Sequence, residues 1–425
     1  MSERMVNERN WAGNYKYGAT ELLVPESVSD VQEWVARSSR IKVLGSRHSF
    51  NGIADTAGSL ISLQKLDRVV ELDSANRKVT VEGGIRYGDL ARYLHERGFA
   101  LHNLASLPHI TVAGAIATAT HGSGVLHGNL AAAVQALEIV SADGEIATLS
   151  RDMPNAEEFR GAVVGLGGLG VVTKVALDIV PAFEMTQHVY EQLPLEQLEL
   201  NVEAILSECY SVSLFTDWKA SSFNQVWLKR RVGDPASSDQ PEGFFHGAAA
   251  ASGNRHPVPG HSGAVCSEQM GVAGPWHERL PHFRMDFTPS AGEELQSEYF
   301  VPRDKAIEAL RAIDGIRELI APLLYISEVR TIAADRLWMS PCFGQDSVGI
   351  HFTWKQDMEA VGRVLPVIEE ALRPFGARPH WAKLFALPPG EVQPLYEKLP
   401  DFRRLLLRYD PTGKFRNEFL NRYIY

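Results

Sequence analysis

Cysteine is scarce in this chain of 425 residues, which contains only Cys209, Cys266 and Cys342. An odd number of cysteines without a CxxC pair predicts no disulfide framework, and it favours a reducing compartment. The histidines form no HxxxH or HxH pair with supporting ligands, so we expect no metal site. The chemistry of this protein therefore has to come from other residues.

Long apolar runs and an excess of positive charge are also missing. No stretch approaches the ~18 apolar residues of a membrane helix, and residues 1–11 lack the apolar core of a signal peptide. The chain has 42 Lys and Arg against 52 Asp and Glu, a net charge of −10. This balance disfavours nucleic acid or an anionic membrane as a partner. We expect a soluble, cytoplasmic protein.

What the sequence does contain is typical of a globular protein with a sizeable core, since 45% of the residues are hydrophobic and 22% are charged. Strand and helix signals alternate with many hairpins, which predicts an α+β fold rather than a regular βαβ repeat. Ser29, with Gln32 three residues later, is predicted to cap the first helix. Strands are predicted at Val226–Arg230, Leu295–Val301, Leu324–Ile332 and Ser347–Lys355, and a helix at Met358–Leu372.

We divide the chain into residues 1–181, 182–376 and 377–425, with a boundary near Pro181. Between Gly233 and Gly263 the composition changes to Gly, Pro, Ala and Ser, which predicts a long surface loop or excursion.

Residues 165–170, GLGGLG, match the GxGxxG pattern of dinucleotide-binding proteins. That site needs the glycine turn to follow a strand and open a helix. Here a helix-like stretch, Ala156–Val164, comes before and a β-branched strand, Val171–Val180, comes after. We therefore reject the Rossmann interpretation, although the loop can still let backbone pass close to a ligand.

Two other segments are dense in Gly, Ser and Thr, namely residues 43–50 (VLGSRHSF) and residues 102–124, which end in TVAGAIATATHGSG. Small residues let backbone N–H groups approach an anionic group, and hydroxyls add donors. Such segments can hold a pyrophosphate without a helix dipole. Taken singly, each could equally be an ordinary turn.

Together these segments resemble the FAD-binding domain of flavoenzymes of the vanillyl-alcohol-oxidase type. Further motifs follow in order, and they make nearly the whole chain resemble the alditol (xylitol) oxidases, with aldonolactone oxidases as cousins: SEVRTI (Ser327–Ile332), GIHFTW (Gly349–Trp354), PHWAK (Pro379–Lys383) and DPTGKFRNEF (Asp410–Phe419). The resemblance implies a two-subdomain, PCMH-type FAD-binding domain at 1–181, a substrate domain with a large antiparallel sheet flanked by helices at 182–376, and a C-terminal return to the first domain.

The resemblance also implies that FAD is covalently bound, through a ring nitrogen of His48 to the 8α-methyl of the flavin. A neutral imidazole is a competent nucleophile near pH 7, and the link would prevent loss of the cofactor. The other cofactor-binding residues that it implies are Val43, Leu44, Gly45, Ser46, Arg47, Ser49, Ser106, Thr111, Gly114, Thr118, Ala119, Thr120, His121, Gly122, Val171 and His380. Ala105, beside Ser106, is either a packing residue or a small residue that leaves O2 room to reach the flavin.

A candidate substrate site follows from strand alternation alone. Residues i and i+2 of a strand point to one face. Glu328 and Arg330 therefore share a face of one predicted strand, and His351 and Thr353 share a face of another. If the two strands are neighbours, these four side chains converge; the alternative is a solvated sheet face. Lys383, two residues beyond Trp381, is expected to point the same way as that ring, and we place Trp381 in the core by composition.

This set suits a neutral polyol. Glu328 accepts hydrogen bonds, Arg330 and Lys383 donate them, and Thr353 and Ser106 do both. Arg330 and Lys383 would stabilise a developing alkoxide, and His351 would take the proton directly or through a neighbour. The resemblance supports Ser106, Glu328, Arg330, His351, Thr353 and Lys383 at these places.

The leading hypothesis is an FAD-dependent alditol oxidase. It would transfer a hydride from the terminal CH2OH carbon of xylitol or sorbitol to flavin N5, giving the aldose, with O2 reduced to H2O2. Two alternatives remain: an aldonolactone (gulono- or arabinono-1,4-lactone) oxidase on the same scaffold, and a non-catalytic flavin- or sugar-binding protein.

Overall fold

A computed structural model describes residues 2–4, 8–154, 156–234, 243–287 and 292–425. Up to residue 181 it contains strands β1 (Ser2–Arg4), β2 (Glu21–Leu23), β3 (Ile41–Val43), β4 (Ser59–Ile61), β5 (Val69–Asp73), β6 (Lys78–Glu82), β7 (Phe99–Ala100), β8 (Val134–Val140), β9 (Ile146–Ser150), β10 (Val171–Asp178) and β11 (Val180–Pro181), and helices α1 (Val28–Arg37), α2 (Tyr87–His95), α3 (Val112–Ala117) and α4 (Ala156–Val163).

Two sheets organise this first part. One has the order β1-β2-β4-β3, with β2 and β3 both parallel to β4. The other is an antiparallel sheet of five strands in the order β5-β6-β10-β8-β9. The turn between β8 and β9 contains Gly144 at φ +88°, a left-handed conformation that glycine adopts without strain. The hairpins predicted from the sequence are present.

The predicted cap of α1 is wrong by two residues. Ser27, not Ser29, is the N-cap: its side chain accepts from the N–H of Asp30, and the Asp30 carboxylate accepts from the N–H of Ser27. The Ser29–Gln32 pair satisfies the spacing of a capping box, but both residues lie inside the helix. An aspartate in the third helical position performs the reciprocal role as well as Glu or Gln does.

The remaining strands are β12 (Glu184–Pro194), β13 (Ser211–Thr216), β14 (Ser222–Arg231), β15 (Phe244–Phe245), β16 (Ala248–Ala250), β17 (Gly274–Pro275), β18 (Glu294–Pro302), β19 (Leu324–Ile332), β20 (Ser347–Lys355) and β21 (Arg378–Pro379). The remaining helices are α5 (Leu195–Leu200), α6 (Val202–Leu206), α7 (Trp276–Arg279), α8 (Ala306–Asp314), α9 (Arg317–Ile320), α10 (Met358–Leu372), α11 (Pro389–Val392), α12 (Leu399–Tyr409) and α13 (Glu418–Tyr423).

These strands form one sheet of ten antiparallel strands, in the order β15-β16-β12-β14-β13-β19-β20-β18-β21, with β17 paired to β12. Its apolar face packs against α8 and α10. Val329, Ile350, Phe352 and Trp354 lie in this core, each at most 1% exposed. Because side chains alternate along a strand, the residues between them point to the opposite face.

The excursion at Gly233–Gly263 is only partly a loop. Within it, β15 and β16 form a hairpin that adds to the edge of the large sheet, where β16 pairs with β12. Residues 235–242 lie outside the described residues. The composition did not predict these strands because they are only two and three residues long, and because β16 consists of alanine, which has little strand preference.

The C-terminal segment packs against the first part of the chain. Phe402, Leu406 and Leu420 share a core with residues of α2 and of β8 and β10. The Lys414 ammonium donates to the carbonyls of Val35 (2.7 Å) and Ala142 (2.6 Å). These contacts agree with the predicted return, although the three-part division itself stays a prediction. No helix among the described residues is long and apolar enough to cross a membrane.

Candidate active site

A cavity of about 1160 Å³ lies between the glycine- and hydroxyl-rich loops of the first part and the polar face of the large sheet. Its wall includes residues 43–49 and several residues between 105 and 121 on one side. On the other side, its wall includes Glu298, Glu328, Arg330, His351 and Lys383. The structure thus joins the two candidate regions that the sequence analysis identified separately.

Most of the predicted cofactor residues line this cavity: Val43, Leu44, Gly45, Ser46, Arg47, His48, Ser49, Ser106, Thr111, Gly114, Thr118, Thr120, His121 and His380. Ala119, Gly122 and Val171 do not. Val171 is fully buried in an apolar cluster. Gly122 is packed against Asn103, whose Oδ1 would lie 2.3 Å from an added Cβ. Val171 and Gly122 therefore belong to the packing behind the cavity wall rather than to the wall itself.

Close backbone packing explains the glycines of the two loops. A Cβ on Gly45 would come within 3.0 Å of Thr111 Oγ1, and one on Gly114 within 2.8 Å of the same atom. The GLGGLG loop at residues 165–170 also reaches the cavity wall. It follows α4 and precedes β10, the reverse of a dinucleotide-binding turn, so the Rossmann interpretation was correctly rejected.

The substrate end is built from three neighbouring strands. In the register of the sheet, His351 of β20 stands directly opposite Glu328 of β19 and opposite Glu298 of β18. Antiparallel partners lie close together on one face. The predicted set Glu328, Arg330, His351 and Thr353 therefore converges on the cavity, and the alternative of a solvated sheet face is wrong because all four are less than 9% exposed.

Glu298 is the centre of this polar face, and the sequence analysis missed it. Its Oε2 accepts from Lys383 Nζ at 2.6 Å, and its Oε1 lies 3.0 Å from His121 Nε2 and 3.5 Å from an Arg330 nitrogen. Burial alone would raise the pKa of this carboxyl, but Lys383 and His121 outweigh it and hold the pKa well below its usual value. Glu298 is therefore an anion that orients three cavity residues.

Glu328 and Arg330 form a second buried pair, with Nε 3.3 Å from Oε1. Burial raises the pKa of the Glu328 carboxyl, yet the Arg330 and His282 contacts more than offset it, so the net shift is downward. The guanidinium also donates to Ser106 Oγ at 3.2 Å. Ser106 is thus held against the sheet on the cavity wall, and its contacts with cofactor and substrate stay a prediction.

The His351 ring is engaged at both nitrogens. Nδ1 lies 2.8 Å from Lys383 Nζ, and Nε2 lies 3.1 Å from Thr353 Oγ1. Burial, reinforced by the Lys383 charge, lowers the pKa of His351 to about 4. Burial also lowers the pKa of Lys383, partly offset by Glu298. His351 is therefore neutral at pH 7, and each of its ring nitrogens is engaged by a neighbour that also lines the cavity.

The expectation that Lys383 and Trp381 point the same way is wrong. Trp381 is fully buried, and its Nε1 donates to Met339 O at 2.7 Å in the core. Lys383 instead lines the cavity. Strand β21 ends at Pro379, and the N–H of Lys383 turns back to the carbonyl of His380 at 3.0 Å. Strand alternation no longer applies beyond that point.

Comparison with known proteins identifies the family. Residues 20–150 match the family described as FAD binding domain, and residues 290–423 match the one described as D-arabinono-1,4-lactone oxidase. An alditol oxidase from a Streptomyces species is 49% identical over 414 residues, which are 97% of this chain and 97% of that protein. The chain belongs to the alditol oxidase family.

More distant relatives include L-gulonolactone oxidase of Mus musculus, 28% identical over 99% of this chain and 98% of that protein. L-gulono-1,4-lactone dehydrogenase of Mycobacterium tuberculosis is also 28% identical, over 97% of this chain and 98% of that protein. As an alditol oxidase family member with an FAD-binding domain, the protein is an FAD-dependent oxidase that acts on CH–OH groups. The predicted α+β fold class is confirmed, and the non-catalytic alternative is set aside.

The residues present fit FAD. His48 lies on the cavity wall with its ring stacked on Trp11 at a centroid distance of 5.1 Å. Its Nδ1 is buried and finds no hydrogen-bond partner among the described residues. Burial lowers the pKa of His48 to about 4, so the ring is neutral at pH 7. The structure thus places a neutral imidazole on the cavity wall beside the glycine-rich loops.

Glu298, His282 and Lys229 are three polar residues at or near the substrate end that the sequence analysis did not identify as site residues. Glu298 had a usable signal, because it stands in the predicted strand Leu295–Val301, where Gln296, Glu298 and Phe300 share one face. His282 lies in a turn-rich stretch without periodicity. Lys229 stands in a predicted strand but resembles an ordinary solvated lysine there, so no local signal marks either residue.

Proposed function

We propose that this protein oxidises the terminal CH2OH group of a sugar alcohol such as xylitol or sorbitol to the aldose, with O2 as the electron acceptor and H2O2 as the second product. The observation that carries the proposal is the polar face around Glu298 and Glu328, where buried carboxylates are paired with buried cations inside a large cavity. The 49% identical alditol oxidase supports the choice of a linear polyol.

FAD, when bound, supplies the hydride acceptor and the route of electrons to O2. We infer that the loops at residues 43–49 and 106–121 hold it and that His48 anchors it covalently through Nδ1. Gly45 and Gly114 let the backbone of these loops come close together, so that their N–H groups can face an anionic pyrophosphate. His380, buried and neutral at its lowered pKa, completes the wall beside His121.

Substrate binding follows from the donor and acceptor set. Glu328 accepts from a substrate hydroxyl, while Arg330 and Lys383 donate to others. Ser106 and Thr353 can do either. A sugar alcohol carries no charge, so we expect binding to rely on these directed hydrogen bonds, which a polyol can satisfy along its whole length.

The chemical step requires removal of the proton from a hydroxyl group as a hydride leaves the carbon that bears this hydroxyl. Arg330 and Lys383 stabilise the alkoxide that develops, because electrostatic interactions are stronger in a cavity that excludes water. We infer that the proton passes to His351 through Lys383 or Thr353, since these two groups occupy both ring nitrogens. Of the two routes considered from the sequence, the one through a neighbour fits the geometry better.

An aldonolactone oxidase is the second candidate, because residues 290–423 match the D-arabinono-1,4-lactone oxidase family. Oxygen uptake and peroxide formation with a panel of xylitol, sorbitol, L-gulono-1,4-lactone and D-arabinono-1,4-lactone separate the two. We expect turnover with the alditols and little with the lactones. Preference for a lactone would overturn the proposal, and turnover with an artificial acceptor alone would make the protein a dehydrogenase.

The covalent link has its own test. Acid or detergent denaturation of the purified protein should leave the yellow colour with the pellet. His48→Ala should release it to the supernatant while the protein still binds FAD without a covalent bond. Colour that leaves the native sequence on denaturation would contradict the link without affecting the proposed reaction.

We also propose a cellular location and an oligomeric state for the protein. Cys209, Cys266 and Cys342 are all free thiols, and this supports the cytoplasmic location expected from composition. We propose a monomer, which size-exclusion chromatography with light scattering tests directly.

A further inference from the structure

Lys229 is a fully buried lysine that the proposed reaction does not use. It lies on β14, and its ammonium faces three acceptors: Leu280 O at 2.6 Å, Pro281 O at 3.1 Å and His282 Nδ1 at 3.2 Å. A lysine is costly to bury unless its donors are paired. Here each of its three N–H groups has a partner, and all three partners belong to one short segment, residues 280–282.

The other nitrogen of His282 reaches the substrate face. Nε2 lies 2.7 Å from Glu328 Oε1, and the ring is packed edge-on against Phe215 and Trp227, with centroids 5.5 and 5.2 Å away. Contacts with these two aromatic rings, together with hydrogen bonds at both ring nitrogens, leave His282 a single orientation. It therefore connects Lys229 to Glu328 in a line of buried hydrogen bonds.

The charges of Glu328 and Lys229 determine where His282 carries its proton. Glu328 is ionised, so the nitrogen that faces it must carry a proton, which makes Nε2–H the donor. Nδ1 then accepts from Lys229, or carries the proton itself while Lys229 is neutral. Below about pH 7, the Lys229–His282 pair therefore holds one positive charge opposite Glu328. Burial lowers the pKa of Lys229 to about 7 and that of His282 to about 4, which favours the proton on Lys229.

The same segment also fixes a second substrate residue. The backbone N–H groups of His282 and Phe283 both donate to the carbonyl of Ser106, at 3.1 and 3.3 Å. On Glu328, His282 and Arg330 both approach Oε1. No side chain among the described residues donates to Oε2, and Glu328 lines the cavity. One carboxylate oxygen is thus held from behind while the other stays available.

We propose that Lys229 and His282 are positioning residues that hold Glu328 as an oriented anion, with Oε1 bound by His282 and Oε2 presented to a substrate hydroxyl. This inference rests on the proposed function, because it assumes that Glu328 binds the substrate. It goes beyond that function in assigning the orientation of Glu328 to Lys229, which lies outside the cavity wall, and to His282, which meets that wall beside Glu328. The expected consequence is an effect on substrate affinity more than on the limiting rate of flavin reduction.

The matched variants His282→Gln and His282→Asn test the connection to Glu328. The amide nitrogen of glutamine can take the place of Nε2 and keep the donor, whereas that of asparagine reaches only the place of Nδ1. In anaerobic stopped flow, His282→Asn should raise the half-saturating sorbitol concentration about tenfold or more, the size of one lost charge-assisted hydrogen bond. The limiting rate should change much less, and His282→Gln should restore most of the affinity.

Lys229→Met tests the other half of the line through pH. The groups that face His282 are Glu328, Arg330 and Lys229, with Cys266 beyond Lys229. Without the lysine, the pKa of His282 should rise, because Glu328 becomes its main charged partner. Below that pKa, both nitrogens carry protons and Glu328 stays bound. Above it, His282 is neutral and binds Glu328 less strongly. The half-saturating concentration should therefore begin to increase at a lower pH than in the native sequence, where Lys229 keeps the positive charge up to about pH 7.

The outcomes separate this inference from the function on which it rests. If sorbitol and xylitol fail to reduce the native protein, the proposed function fails. If the native protein is reduced, equal half-saturation in His282→Gln, His282→Asn and the native sequence would overturn the positioning role. A parallel loss of limiting rate and affinity in both histidine variants, with lowered thermal stability, would also overturn it by showing a merely structural role. If Lys229→Met does not fold, the histidine pair alone decides.

Discussion

The two ends of the cavity are built on different principles. The cofactor end consists of contiguous loops whose backbone groups, small residues and hydroxyls line the cavity. The substrate end consists of side chains from separate strands and a turn, held by buried charge pairs around Glu298 and Glu328. The first end depends on how closely the backbone can approach a ligand, and the second on which charges meet. Substitutions at the two ends should therefore fail in different ways.

The largest effect should come from the charges of the substrate end. Lys383→Ala removes one donor to the developing alkoxide and one partner of Glu298 and His351. We expect the limiting rate of anaerobic flavin reduction to fall by ~10²-fold or more, while FAD content stays that of the native protein. A normal rate of reduction in stopped flow would remove Lys383 from the chemical step.

A smaller effect is expected for Glu328→Gln, which keeps the shape of the side chain but removes its charge. The half-saturating alditol concentration should rise about tenfold, since hydrogen bonds to a charged group are the stronger ones. The limiting rate should change less. Glu359→Gln, an exposed carboxylate on α10, is the matched control. If the chemical step is lost instead, Glu328 belongs with Lys383 rather than with the binding residues.

The cofactor end should show the opposite pattern. Gly114→Ala places a Cβ within 2.8 Å of Thr111 Oγ1, so the loop must shift. We expect a several-fold lower FAD content after purification, measured from the visible spectrum, with an unchanged dependence on alditol in the molecules that do contain FAD. Gly362→Ala, in α10 with open space around its Cβ, is the control. An altered alditol dependence would show that the two ends are not separable.

The last prediction concerns stability against acid rather than activity. His282 and His351 have pKa values of about 4 in the folded protein, below the ordinary value of 6.5. The unfolded chain therefore binds more protons between pH 6.5 and 4, and the free energy of unfolding should decrease as pH falls through this window. Each histidine contributes up to about 1.4 kcal/mol per pH unit. Denaturant unfolding at several pH values measures the slope, which His351→Gln should reduce; an unchanged slope would contradict the neutral, buried state.

The contrast between the two ends also explains what the sequence could predict. The cofactor loops are readable because glycines and hydroxyls are adjacent in the chain, and Glu328, Arg330, His351 and Thr353 are readable because strand alternation is local. Alternation within the predicted strand could assign Glu298 to a face, but it does not show that Glu298 lies opposite His351 of the neighbouring strand, and its role depends on that pairing. Lys383 was placed by resemblance, since the chain turns after Pro379 and local periodicity ends there. The role of Lys229 depends on a segment some 50 residues away.

The most direct measurement is the flavin spectrum of the purified protein after anaerobic mixing with sorbitol or xylitol, compared with L-gulono-1,4-lactone. The account predicts that the alditols bleach the flavin within the time of turnover, that admission of air restores the colour with formation of H2O2, and that the lactone does little. A flavin that is bleached by the lactone and not by either alditol, or by none of the three, would contradict it.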